Sequence, residues 1–148
     1  ATVVRNGATL AVATVGDGAA LAESVEITGT GVGAAGALVG AGSMTGGITI
    51  TNSASIGVGG TESDRQALTL NGAISGGTST PGAFALTKVG EGLLTLNAAN
   101  TFLGDVFVGD GILRVTNDEA LSPLGGVPLA SEVNPSTGGI VFVNNGAS

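Results

Sequence analysis

Cysteine, histidine, tryptophan and tyrosine are all absent from the 148 residues. Without cysteine there is no disulfide framework, zinc ribbon or thiol nucleophile, and the chain suits export in an unfolded state, free of premature cross-links. Without histidine the commonest general base is missing, and without tryptophan or tyrosine so are the best stacking platforms for sugars. Basic residues are scarce too: four Lys and Arg stand against eleven Asp and Glu, a formal net charge of −7. No basic stripe exists to replace phosphate counterions, so nucleic acid is excluded as a partner, and an anionic membrane surface is equally unattractive. The apolar stretch 29–42 falls short of the roughly 20 residues of a spanning helix, and its glycines oppose any helix, so this segment is not expected to insert in a membrane. No charged n-region followed by a hydrophobic core opens the chain, which is expected to be a fragment of a larger protein.

Hydrophobic residues make up 43% but aromatics only 3%, so the core must be built from Leu, Val, Ile and Ala. Glycine occurs 28 times, and charged residues are 10%, against roughly 25% in an average soluble domain. Across the chain the same short pattern recurs, an apolar, variable, apolar triplet. It begins at Leu10, Val25, Ile48, Leu68, Leu94, Leu113 and Val141, on average about 22 residues apart. Alternation of period two puts the first and third side chains on one face and the middle one on the other. The inner set is entirely Leu, Val and Ile; the outer set is Ala11, Glu26, Thr49, Thr69, Thr95, Arg114 and Phe142. Apolar residues at i and i+2 do not share a helix face, and the runs end in Gly or Asn, so helix is excluded. A unit of about 22 residues, at about 3.3 Å per strand residue, holds two or three strands and their corners. The fold expected is all-β, a right-handed parallel β-helix (solenoid) of about seven short rungs over residues 1–148; a sandwich of antiparallel hairpins is the alternative.

The connections carry their own signals. Gly90, Gly92, Gly104, Gly109 and Gly111 bracket the central strands, and the glycine-rich runs 29–42 and 57–60 also read as corners. Asn52, Asn71 and Asn97 each come just after a triplet, either as a hydrogen-bonded ladder or as residues that tolerate left-handed turns. Three of the four prolines, Pro123, Pro128 and Pro135, mark residues 117–139 as a loop excursion, with a smaller one at 62–66. The segment TVVRNGAT at 2–9 is echoed by VFVNNGAS at 141–148, as one block of a tandem array would be.

Chemistry-bearing residues are few. Asp105 and Asp110 flank one strand, and Asp118 and Glu119 follow the next; they are read as solvated corner acids, with a glycosidase pair or calcium ligands as the sharper alternative. No calcium-loop spacing is present, and the glycine runs lack the GK[ST] ending of a phosphate cradle. Ser122, Ser131 and Ser136 have no histidine to activate them. No catalytic, cofactor-binding or metal-binding residue is assigned, and no cofactor is expected.

Residues 86–115, LTKVGEGLLTLNAANTFLGDVFVGDGILRV, resemble the autotransporter-associated β-strand repeat, also called the passenger-associated transport repeat. Leu86, Thr87, Lys88, Gly90 and Gly92 match its opening, Leu94, Thr95 and Leu96 its strand, and Ala99, Asn100 and Thr101 its polar corner. Gly104, Val108, Gly111, Leu113 and Val115 complete it. Phe107 departs from the small polar residue usual there and is expected to face outward. The resemblance implies a right-handed parallel β-helix in a passenger region, at the surface of a Gram-negative bacterium. The function expected is a non-catalytic stalk or fibre module that stacks end to end with copies of itself or adjacent blocks. The alternatives are an adhesin that binds a host or cell-surface glycan or protein through the 117–139 loop, and a polysaccharide-cleaving β-helix enzyme using Asp105 or Asp110.

Overall fold

The computed structural model describes residues 1–13, 18–78, 84–117 and 120–121, together with the backbone of the strands at 133–135 and 139–143. Among the described residues it is all-β with almost no helix, the exception being one 3-10 turn, Val32–Ala34. Thirteen strands join into one connected ladder system in which every pairing is parallel; a small antiparallel hairpin, β6 (Gly60–Thr61) with β7 (Asp64–Arg65), stands apart. Hairpins of opposing direction, the sandwich alternative, are therefore not what pairs the strands of the core.

The ladders fall into three columns. The first holds β1 (Thr2–Val4), β3 (Val25–Gly29), the first half of β5 (Ile48–Gly57) and β9 (Ile74–Gly76), with Thr2, Val25, Ile48 and Ile74 as successive partners. The second holds β2 (Leu10–Ala13), the first half of β4 (Leu38–Met44), the second half of β5, β10 (Ala85–Val89), β12 (Asp105–Val108) and β14 (Val133–Pro135). The third holds the second half of β4, β8 (Ala67–Leu70), β11 (Leu93–Leu96), β13 (Gly111–Val115) and β15 (Gly139–Val143). Every triplet expected to be extended lies in a strand, but the seven are spread over all three columns. Leu10 is in the second, Val25 and Ile48 in the first, and the rest in the third.

Alternation then decides what is buried. Ile27, Ile50, Leu38, Ile56, Met44, Leu70, Leu94, Leu96, Leu113 and Val115 are each at most 2% exposed and belong to one continuous core. Arg114 and Ala11, middle residues of their triplets, are exposed, whereas Thr95 is only 7% exposed. Thr95 points to the outer face as expected, but Thr69 and Arg114 sit directly opposite it on the two adjacent strands and cover it. Phe107, half-buried on the outer face of β12, stands in register with Thr87.

Several glycines sit within strands rather than at corners. The run 29–42, expected to be corner, contains most of β4, and Gly40 faces Val12 in the adjoining strand. Its φ is 138°, and a Cβ there would lie 1.9 Å from the Val12 carbonyl oxygen, so only glycine lets the two backbones approach. The expected excursion at 62–66 coincides with the β6–β7 hairpin. The longer excursion, 117–139, includes β14, which pairs in register with β12; its Pro135 sits on a strand with a partner on one side, where a missing N–H is tolerated. Most of that segment, with Asp118, Glu119, Ser122, Ser131 and Ser136, lies outside the described residues. The echoed segments occupy different columns: Thr2–Val4 aligns with Val25, and Val141 with Leu113.

Candidate functional site

The chain's only lysine, Lys88, occupies an inward position. Leu86 points inward from β10, so period two sends Lys88 inward as well, into the row formed by Leu10, Leu38, Ile56 and Val108. It is 1% exposed. The tetramethylene stem packs among aliphatic side chains while the ammonium reaches the corner beyond β10. There Nζ donates to the carbonyl oxygens of Val89 at 3.1 Å, Asp110 at 3.0 Å and Gly90. Three donors meet three backbone acceptors, so a cation in an apolar row is fully satisfied. Burial lowers its pKa from 10.5 to about 8, an effect partly opposed by the carboxylates of Asp110 and Glu91. An amine with such a pKa resembles a catalytic lysine, but this one has every N–H engaged by main chain and no open face toward solvent. Its chemistry is that of a fastener.

The same corner is closed from the next strand by Arg65, which donates to the Glu91 carbonyl oxygen and lies 3.4 Å from its carboxylate. The hairpin β6–β7 is thereby tied down to the corner that Lys88 holds from inside.

Folded Lys88 binds its proton less tightly than the unfolded chain does, so between pH 8 and 10.5 the unfolded state carries more protons and stability rises with pH. Below pH 8 both states are protonated and this dependence vanishes. In Lys88→Met the rise in Tm across that window is expected to disappear, and Tm at pH 7 is expected to fall, because the carbonyl oxygens that accept from Nζ lose that donor. Thermal melts of both proteins across the window check this; an unchanged slope in Lys88→Met would exclude Lys88 as its source.

A second polar feature runs along the corner after the third column. Asn71 Nδ2 donates to Ser43 Oγ at 2.8 Å, Asn97 Nδ2 to Asn71 Oδ1 at 2.8 Å, and Thr116 Oγ1 to Asn97 Oδ1. The expected ladder therefore forms with Asn71 and Asn97, extended by Ser43 and Thr116. Asn52 is not part of it: it lies between the first and second columns, in the middle of β5, where its Oδ1 accepts the Ser53 N–H at 2.7 Å. One residue more between triplet and asparagine, and a different column, account for the difference.

The third feature is Asn100, 4% exposed. Its Oδ1 accepts the Ile74 N–H at 2.7 Å, and its Nδ2 donates to the Ala120 carbonyl oxygen at 2.7 Å, so one buried amide spans three successive segments of chain. The resemblance of residues 86–115 implies a polar corner at Asn100; its burial depends on Phe102, itself 5% exposed, and on Ala120 closing over it.

Asp105 and Asp110 do not form a reactive pair. Asp105 opens β12 and Asp110 follows its end, so five strand residues at about 3.3 Å each put them roughly 16 Å apart, beyond the 5–9.5 Å of glycosidase carboxylates. Among the described residues no group of three or more His, Cys, Asp or Glu side chains is placed to hold a metal ion, and no helix is long and apolar enough to cross a membrane. A groove of about 470 Å³ lies on the outside, floored by Val39, Gly57 and Val89 and flanked by Ala34 and Gln66, with Asp110 its one charged lining residue.

Comparison of the chain with protein-family models, curated proteins and solved structures gives no match.

Proposed function

We propose that the chain is a non-catalytic structural module, a right-handed parallel β-helix whose windings stack into a segment of a stalk or fibre at a bacterial cell surface. The observation that carries this reading is the parallel register: three columns of strands, each returning to the same face in strict order, with no antiparallel pairing in the core among the described residues. Parallel crossovers are right-handed in about 98% of cases, which sets the hand proposed. Among the described residues the third column runs through six positions in register, Leu21, Met44, Leu70, Leu96, Val115 and Val143, which supports about six windings there. At about 4.8 Å each they make a column roughly 30 Å tall. Lys88, Asn100 and the Ser43–Thr116 ladder support the same reading, since each joins one winding to another and none presents a reactive group. The extracellular, Gram-negative placement rests on the resemblance of residues 86–115 and on the absence of cysteine.

The module has an open edge. Among the described residues β1 pairs only with β3 and β2 only with β4. Thr2 and Leu10 donate their N–H groups to the carbonyl oxygens of Ser24 and Ala37, the residues just before β3 and β4, at 3.0 and 2.8 Å. In a strand the next N–H points the opposite way, so Val3 and Ala11 direct theirs away from the stack. Such an edge is a template for another strand, and the partner proposed is the far end of a second copy or of an adjoining block.

Analytical ultracentrifugation tests it. Concentration-dependent, end-to-end association is expected, and Val3→Pro with Ala11→Pro, which remove both outward donors, is expected to abolish it while preserving β-type circular dichroism. A compact monomer at every concentration, or association that survives both prolines, would overturn stacking through this edge.

A further inference from the structure

The chain contains two Asn–Gly pairs within the described residues, Asn6–Gly7 and Asn71–Gly72, and the fold places them in opposite circumstances. We propose that Asn6 is a site of spontaneous backbone-assisted deamidation, and that the corner ladder keeps Asn71 as the amide.

The reaction needs no enzyme. The Gly7 nitrogen, once its proton is lost to solvent base, attacks Asn6 Cγ, and the bond from Cγ to the side-chain nitrogen breaks with release of ammonia. Water then opens the resulting succinimide at one carbonyl or the other, leaving aspartate or isoaspartate. No oxidant or reductant takes part. Glycine in the second position matters because a Cβ would hinder approach of its nitrogen.

Asn6 and Gly7 are both exposed, at the tip of the turn that the Ala8 N–H closes onto the Arg5 carbonyl oxygen at 2.9 Å. No heavy atom lies within 4 Å of where a Gly7 Cβ would stand. The Asn6 amide rests over Gly29, where a Cβ would come 2.2 Å from its Oδ1, and neither end of the amide makes a hydrogen bond among the described residues. Attacking nitrogen, amide carbon and water therefore have room to meet.

Asn71 is exposed as well, but its hydrogen bonds and its glycine differ. Both ends of its amide are engaged, by Ser43 and by Asn97, and its own N–H donates to the Met44 carbonyl oxygen at 2.8 Å. Gly72 is buried, and the position of its absent Cβ lies 2.1 Å from the Gly46 carbonyl oxygen, so its backbone is locked against the neighbouring segment. Closing the five-membered ring would require the Asn71 side chain to leave the ladder and the Gly72 peptide to turn where there is no space.

The experiment is incubation of the purified protein in mildly alkaline buffer, followed by proteolysis and mass mapping; Asn145–Gly146, outside the described residues, falls in a separate peptide. Conversion of amide to acid is expected at Asn6 at least about tenfold faster than at Asn71, a barrier difference of at least about 1.4 kcal/mol, with isoaspartate among the products. Equal rates, or faster conversion at Asn71, would overturn the proposal. Gly7→Ala is expected to slow conversion at Asn6 about tenfold without affecting Asn71; an undiminished rate would show that Gly7 nitrogen is not the attacking group. Asn97→Ala, which frees the Asn71 carbonyl oxygen, is expected to raise conversion at Asn71 several-fold while circular dichroism stays native. An unchanged rate there would refute protection by the ladder.

Discussion

Leu96→Asp is expected to leave the chain unfolded or nearly so at room temperature. Leu96 is 2% exposed and stands in the inner row of the third column between Leu70 and Val115. A carboxylate there has aliphatic neighbours above and below and no cation to pair with. Burying it costs several kcal/mol whether it stays ionised or takes up a proton, and a domain of this size has only about 5–15 kcal/mol in hand. The matched control is Arg114→Asp, on the outer face of the adjacent strand, which is expected to lie within about 1 kcal/mol of the parent. Urea titration followed by circular dichroism distinguishes them. Equal effects at the two sites would mean that the inner and outer faces are exchanged. Thr95 is no substitute as a control, because its neighbours cover it despite its outward direction.

The second large effect is expected at Asn100. Asn100→Leu conserves volume but strips both partners at once, leaving the Ile74 N–H and the Ala120 carbonyl oxygen buried without hydrogen bonds. An orphaned buried group costs about 1–3 kcal/mol, so the pair is expected to destabilise by about 2–6 kcal/mol. Asn100→Asp is expected to fail as well: the carboxylate still accepts from Ile74, but it has nothing to donate to Ala120 and its charge is buried. Thermal melts report the loss in both variants, and amide exchange at Ile74, expected to be slow in the parent, is expected to accelerate in Asn100→Leu. Slow exchange at Ile74 in Asn100→Leu would mean that this bond does not protect the N–H.

Both sites illustrate how far local pattern reaches. Leu96 is legible from its own triplet, since LTL alternates and ends at an asparagine. The ladder is half legible: Asn71 and Asn97 follow their triplets by one place, and identical offsets put them on one vertical line. Asn52, two places past Ile50, shows that composition near a corner is not enough and that the count must match. Lys88 was readable by the same rule that located Leu96, because LTK alternates too and Leu86 is inward; the charge on the third residue argues for solvent and hides it. Asn100 offers no such signal. Its burial follows from the way Phe102 and Ala120 close over it, a contact between residues 20 apart that no window of sequence displays.

What the amino-acid sequence determined by itself is the strand character of the seven triplets and the aliphatic identity of the interior; the strands within 29–42 and 117–139 escaped it. Period-two alternation and glycine corners are local properties and need only neighbours along the chain. What only the tertiary structure decided is which strands lie against which. Triplets that look alike are assigned to three columns because each connecting segment has its own length, and length sets how far around the chain travels before it pairs again. That assignment turns a lysine into an interior fastener, a corner asparagine into a buried bridge and an outward threonine into a covered one, since burial and hydrogen-bond partners belong to the neighbouring strand rather than to the residue.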